Sequence, residues 1–325
     1  MDSDIFTLLG KKIKRGQTIT LNLDIARLHT RTMIEVPVIV SRGKNPGPII
    51  LLNAGIHGDE VNGVEIVRQI VAKGYHKPDC GTVVCIPVLN VFGFLHKTRE
   101  FPDGRDLNRV FPGSKEGSLA SRFAYYLMKE IMPNVEYCID YHTGADSRFN
   151  YTHLRIEGTD PKSSELAQVF GAPFILLSKE LPKSLRSEAV KIGVSVLLFE
   201  GGKSLDLDRI VTRVGVKGAL RVMQHLGMRD FTKELSNNNQ QPYAEPITLT
   251  ESTWMRARYS GMFRTTVSIG TKIKKGMILG TISDPFGDFE KRVIAKHDGV
   301  VICSNHSPIV YQGDAIFHIG FNKIE

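Results

Sequence analysis

Along the chain, short wholly apolar runs alternate with stretches in which apolar positions recur at helical spacing. Residues 18–40 alternate loosely between apolar and polar, the period-two pattern of a pair of strands. The run NPGPIILLNAG then places a turn before an apolar strand that ends near Asn53. Over residues 60–73, Val61, Val64, Val67 (with Ile66), Ile70 and Val71 recur with the period of an amphipathic helix, and Gly74 stops it. GTVVCIPVLN is a further apolar strand. After a loop rich in Pro, Gly and charge, SLASRFAYYLMKEIMP reads as a helix with Ser118 as N-cap and Pro133 beyond its end. VEYCIDYHTG and VSVLLFEGG are strands that run apolar and finish at an imidazole or a charge, and a long helix over 206–224 closes the region. Apolar strands alternating with amphipathic helices predict an α/β fold, a mixed sheet flanked by helices on both faces.

The pattern changes at SNNNQQPYAEP, residues 236–246, a polar stretch that reads as a linker. The chain beyond this linker is short, Gly-punctuated, β-like and self-similar. Ala257-x-x-x-Gly261 recurs as Ala295-x-x-x-Gly299, and Ile273-x-x-Gly276-x-x-Leu279-x-x-Ile282 recurs as Val310-x-x-Gly313-x-x-Ile316-x-x-Ile319. Two similar halves packed on each other predict a small all-β, barrel-like C-terminal domain, similar to lipoyl- and biotinyl-type domains. No MKM-like tip carrying a modifiable lysine is found in the sequence, so a lid or assembly role is expected rather than a swinging arm. The predicted division is residues 1–240 and 241–325.

Composition narrows the function classes. A hydrophobic content of 42% with 23% charged residues is ordinary for a globular enzyme. The net charge of +8 is moderate and dispersed; the densest basic group is Lys11, Lys12, Lys14 and Arg15, so no nucleic-acid-binding stripe is expected. The N-terminal MDSDIFTLLGKKIKRG does not read as a signal peptide, and no apolar run approaches the roughly 20 residues that span a bilayer. Cys80, Cys85, Cys138 and Cys303 lack CxxC spacing and read as reduced thiols, so the expected compartment is the cytoplasm.

In open α/β sheets, ligands bind beyond the carboxyl ends of strands. Three apolar strands here end at His57/Glu60, His142 and Glu200. His57 and Glu60 stand at i and i+3 across a strand-to-helix turn, on one face of the first helical turn. With His142 from DYHTG they form a two-imidazole, one-carboxylate set of the kind that holds a catalytic zinc and leaves one position for water. Asp140 either orients a ligand or makes a structural hydrogen bond at the strand end. Asp59 is expected to be solvated or helix N-terminal rather than a ligand. Glu200, at the end of VSVLLF, suits a general base whose pKa is raised by partial desolvation. Ligand type alone does not fix which divalent ion is native.

Taken in order, AGIHGDE, GRDLNRVFPG, DYHTG and LLFEGG resemble the succinylglutamate desuccinylase/aspartoacylase family, within the zinc carboxypeptidase-like folds. The resemblance covers roughly residues 45–225 and the β-rich tail. It implies a hydrolase with one zinc ion (Zn2+) per subunit that cleaves the amide of a small, anionic N-acyl amino acid, with Glu200 as general base. It implies further that Asn108 and Arg109 bind a substrate carboxylate and that Arg99 polarises the scissile carbonyl. Spacing leaves Arg105 as a competitor to Arg99, and Arg186 as a further substrate arginine. The segment HTGADSRFNYTHLRI departs from aspartoacylase, so Arg148 and Asn150 are expected to line the pocket and set which substrate fits. The rival readings are a carboxypeptidase or peptide amidase with the same centre, or an inactive metal-binding assembly protein. A homo-oligomer is possible on any of them. A pocket closed by the C-terminal segment favours small substrates, and an open groove favours peptides.

Overall fold

The computed structural model describes residues 5–27, 29–236 and 245–322. β1 (Ile5–Leu8) and β2 (Lys11–Lys14) form a small antiparallel hairpin. There follow β3 (Thr18–Arg27), β4 (Met33–Arg42), β5 (Asn45–Ala54), α1 (Val61–Ala72), β6 (Cys80–Ile86), α2 (Val91–His96) and α3 (Leu119–Tyr126). β7 (Tyr137–Gly144), β8 (Arg148–Ile156), α4 (Pro161–Phe170), β9 (Phe174–Leu177), α5 (Leu185–Lys191), β10 (Ser195–Lys203), α6 (Arg209–His225) and α7 (Thr232–Ser236) complete the first part. The C-terminal part contains β11 (Ile247–Leu249), β12 (Glu251–Arg256), β13 (Gly261–Thr265), β14 (Lys272–Ile273), β15 (Ile278–Ser283), β16 (Glu290–Ile294), β17 (Gly299–Asn305), β18 (Ile309–Val310) and β19 (Ala315–Phe321).

The main sheet runs β12-β19-β17-β8-β10-β7-β5-β6-β4-β3. Its centre, β6-β5-β7-β10, is parallel, and antiparallel strands extend it on both sides. Period-two alternation splits each central strand between two cores. Leu51, Val84, Cys138 and Val196 join the core under α3 and α5, whereas Ile50, Leu52, Val83, Ile139 and Leu197 join the one under α1, α4 and α6. Burial on both faces is what makes these strands read as unbroken apolar runs. The expected architecture, a mixed sheet with helices on both faces, is the one observed.

Helix boundaries follow their caps. Ser118 accepts the Ser121 amide at 3.3 Å and starts α3, which continues through a π turn at Leu127–Ile131. The long helix α6 starts at Arg209 rather than 206 because the Asp208 side chain accepts from the Ile210 and Val211 amides, at 2.7 and 2.9 Å.

In the C-terminal part, Ala257, Ile273, Leu279, Ile282, Ala295, Val310, Ile316 and Ile319, all repeat positions, pack into one cluster. The two halves also repeat their hydrogen bonds. The Gly276 amide donates to Ala295 O and the Gly313 amide to Ala257 O, both at 2.9 Å. Both glycines have positive φ, 89° and 96°, which the turns require. Most of the linker stretch, residues 237–244, lies outside the described residues. Beyond it the sheet is continuous: β11 pairs with β9, and β17 pairs with β8.

Candidate metal centre and active site

The turn after β5 brings His57 and Glu60 back over the ends of the parallel strands. Gly58 permits this, because a Cβ there would lie 1.8 Å from the backbone of Gly93. Glu60 is the N-cap residue of α1 but makes no capping bond. Its carboxylate is taken by other partners: Oε1 meets His57 Nδ1 at 2.7 Å, and Oε2 meets His142 Nδ1 at 2.9 Å and accepts the Thr143 amide at 3.2 Å. His57, Glu60 and His142 are all buried, and each offers a ligand atom within 4.8 Å of the others. Two side chains three residues apart and a third, 82 residues beyond Glu60, therefore converge.

Each imidazole turns Nδ1 toward Glu60 and rests its other nitrogen on a second carboxylate. His57 Nε2 lies 3.1 Å from Asp106 Oδ1, and His142 Nε2 lies 3.0 Å from Asp140 Oδ2. Asp140 also accepts from Asn53 Nδ2 at 2.7 Å. A carboxylate behind each ligating histidine is the arrangement that fixes tautomer and ring orientation in metal sites, so this donor set fits a divalent cation. Burial alone would push the Glu60 carboxyl up, yet the two imidazoles hold it well below the usual range. For His142, burial opposes protonation, but Asp140 and Glu60 outweigh it and raise the pKa.

Glu200, in register with His142 on the neighbouring parallel strand, stands beside this cluster. Its Oε2 accepts from Asn150 Nδ2 at 2.8 Å, and Arg155 Nε lies 3.6 Å from Oε1. Burial pushes the Glu200 carboxyl above its ordinary value, against the opposing pull of Arg155 and His142.

One cavity of about 1110 Å³ contains His57, Glu60, His142, Glu200, Arg99, Asn108, Arg109, Arg148, Asn150 and Arg186. Arg99 donates to Glu60 Oε1 at 3.2 Å and to Asp106 Oδ2 at 2.9 Å. Arg109 donates to the Asn108 carbonyl at 2.7 Å, and Asn108 Oδ1 accepts the Leu185 amide at 2.8 Å, tying this turn to α5. Arg186 is buried and holds the carbonyls of Ser178 and Lys179, at 3.2 and 2.9 Å. Arg148 pairs with Asp146. Arg105 is not brought in: its side chain is 52% exposed and pairs with Asp103 at 3.3 Å.

Of the two places expected for Asp59, the structure gives the helix N-terminal one, just ahead of the α1 cap, and not a solvated one: it is buried at the cavity wall, where desolvation raises its pKa. Asp106, Arg155 and Trp254, which motif spacing does not single out, line the cavity as well. Asp106 lies inside the DLNR motif, and its capping bond to the Asn108 amide, 2.8 Å, is the local signal that could have marked it.

The sequence profile of the succinylglutamate desuccinylase/aspartoacylase catalytic domain matches residues 46–226, more than half of the chain. The chain belongs to this family. It is 27% identical over 297 residues to the N-alpha-acetyl-L-2,4-diaminobutyric acid deacetylase of Halomonas elongata, covering 87% of this chain and 84% of that protein. Among solved structures, a succinylglutamate desuccinylase/aspartoacylase from Rhodobacter sphaeroides superposes with a TM-score of 0.82 at 24% identity, covering 95% and 96% of the two chains. The product-bound ectoine utilization protein EutE (DoeB) from Ruegeria pomeroyi superposes with a TM-score of 0.82 at 19% identity, covering 99% and 100%. At these identities the structural likenesses establish the fold. No helix among the described residues of this desuccinylase/aspartoacylase family member is long and apolar enough to cross a membrane.

Proposed function

We propose that this family member hydrolyses the amide of a small N-acyl amino acid, using one divalent metal ion, zinc in the first instance, held by His57, Glu60 and His142. The single observation that carries this reading is the adjacency of a three-ligand donor set and a buried carboxylate, Glu200, in one arginine-lined cavity. Family membership and the deacetylase relative support the reaction class. When bound, such an ion supplies Lewis acidity for the carbonyl oxygen and for water.

The chain's own groups account for the remaining steps. Glu200 accepts a proton from the water that adds to the carbonyl carbon. It then delivers that proton to the amide nitrogen as the C–N bond breaks, releasing a carboxylic acid and an amine. Its raised pKa brings it closer to the range in which one group can serve as base and then acid. Arg99, rather than Arg105, is assigned to polarise the carbonyl, because Arg99 lines the cavity beside Glu60. Asn108 and Arg109 are assigned to a substrate carboxylate, with Arg148, Asn150 and Arg186 shaping the pocket around it. Trp254, from the C-terminal segment, forms part of the wall and favours a small substrate over a peptide chain. The predicted division into a catalytic unit, residues 1–240, and a supporting β unit, residues 241–325, is kept within this reading.

The test is a panel of N-acetyl and N-succinyl amino acids presented to zinc-loaded protein, with release of free amine measured. Turnover of at least one of them, abolished by Glu200→Gln, is the expected result. A peptide substrate cleaved in preference to every member of the panel would replace this reading with the carboxypeptidase one.

A further inference from the structure

The C-terminal part holds a groove outside the catalytic cavity. One wall is the end of β12 with the residues after it, 255–259, and the other is β16 with its continuation, residues 291–296. Each of these strands closes its sheet: β12 pairs with β19 alone and β16 with β15 alone. Residues from both faces of β16 line the groove, so it runs along the edge that β15 leaves unpaired. The groove encloses about 260 Å³ and adjoins a further stretch of about 610 Å³, which Arg256, Arg258, Tyr259 and Lys296 also line.

Both walls carry the same period-two pattern. Met255 and Ala257 are buried, and Arg256 and Arg258 are exposed; Ala295 is buried and Val293 half-buried, with Arg292, Ile294 and Lys296 exposed. The inward residues belong to the core of the C-terminal part or pack against it. Ala257 and Ala295 are the alanines of the internal repeat, so Arg258 and Lys296 hold equivalent places in its two halves. Among the described residues, no carboxylate lines either stretch. Arg256 gives one amino group to the Gly313 carbonyl at 2.8 Å, whereas Arg258, Arg292 and Lys296 have no hydrogen bond or ion pair among those residues. Charged side chains on a terminal strand also guard against stray pairing. That guard needs neither an apolar floor nor a groove between two such strands, and here both are present, with Ile282 buried at the base.

We propose that this groove binds an extended acidic segment of a partner protein by strand addition, with carboxylates alternating with apolar side chains. Main-chain groups of the free edge supply the pairing. Inward side chains of the segment meet Met255, Val293 and Ala295, and its outward carboxylates stand across from Arg258, Arg292 and Lys296. A second copy of this chain is a poor occupant, because β16 laid against β16 sets cation against cation. The assignment is independent of the hydrolase reading.

The probe is an acetylated, amidated hexapeptide in which valine and glutamate alternate, titrated into the full chain by calorimetry. Its comparison is the isomer with three valines followed by three glutamates, equal in charge but unable to present one acidic face. The alternating peptide should bind roughly 10-fold more tightly than its isomer. Arg258→Glu combined with Lys296→Glu should weaken it by on the order of 10-fold or more, with Tm unchanged. Trp254, the chain's one tryptophan, lines the adjoining stretch and stacks on His318 at 4.3 Å, so a fluorescence change that the double variant loses places the peptide there. No binding of the alternating peptide at millimolar concentration, equal binding of the two isomers, or full affinity in the double variant overturns the proposal. Inorganic tripolyphosphate that binds as tightly and displaces the peptide would replace it with a small-anion site. Self-association abolished by the same two substitutions would give the groove to a second copy instead.

Discussion

Glu60 occupies a position where a side chain ordinarily caps its own helix, yet it serves His57, His142 and the Thr143 amide instead. The cap forgone is worth about 1 kcal/mol, a cost typical of a site built for function. Behind the ligands, Asp106→Asn and Asp140→Asn should each weaken metal affinity roughly 10- to 100-fold while leaving the fold intact, read by competition with a chromophoric chelator. Glu200→Gln should retain stoichiometric metal and lower kcat on the order of 100-fold or more. Because burial raises the Glu200 pKa, the acid limb of kcat/KM should lie above pH 4.5, with activity lost as the group protonates. The same shift makes ionised Glu200 a burden on folding. The folded state binds that proton more tightly than the unfolded chain, so stability falls as pH rises through the interval between the two pKa values. Glu200→Gln should therefore raise Tm at neutral pH, and the gain should vanish below about pH 4, under the ordinary glutamate value. His57, Glu60, His142 and Glu200 were legible because spacing and strand ends mark them. Asp106 and Arg155 were not, since their partners, His57 and Glu200, lie far off in sequence and only the folded sheet brings them near.

At the scale of the element, the strand-to-helix turn at residues 55–60 depends on close approach. Gly58 lies against the Gly93 backbone, and any side chain there forces the two segments apart. Gly58→Ala should lower Tm and also weaken metal binding, because His57 moves with the turn; an unchanged metal affinity would show that the turn accommodates the methyl group elsewhere. The strongly patterned helices and the apolar parallel strands were readable to within a few residues. β8 was not, because RFNYTHLRI carries Asn150, His153 and Arg155 toward the site and neighbouring strands instead of a wholly apolar core. The helices α4 and α5 are short; Asp160 followed by Pro161, and Ser184, are the caps that mark their starts.

For the whole molecule, the proposed metal binding is expected to couple to folding, since the three candidate ligands converge only in the native sheet. Removal of the ion with chelator should lower Tm, and the difference should grow with free metal concentration in the loaded protein. The internal repeat of the C-terminal part was visible in the sequence because its turn glycines and buried aliphatics fall at fixed offsets. Its attachment was not, because strand pairing between distant segments leaves no local pattern. That attachment runs through β17, where Cys303 stands opposite Asn150, the residue that holds Glu200. Changes near Cys303 should therefore surface as loss of turnover before loss of solubility. On the proposed reading the tail is more than a passenger: it braces a reaction whose candidate ligands and proton carrier all belong to another stretch of the chain.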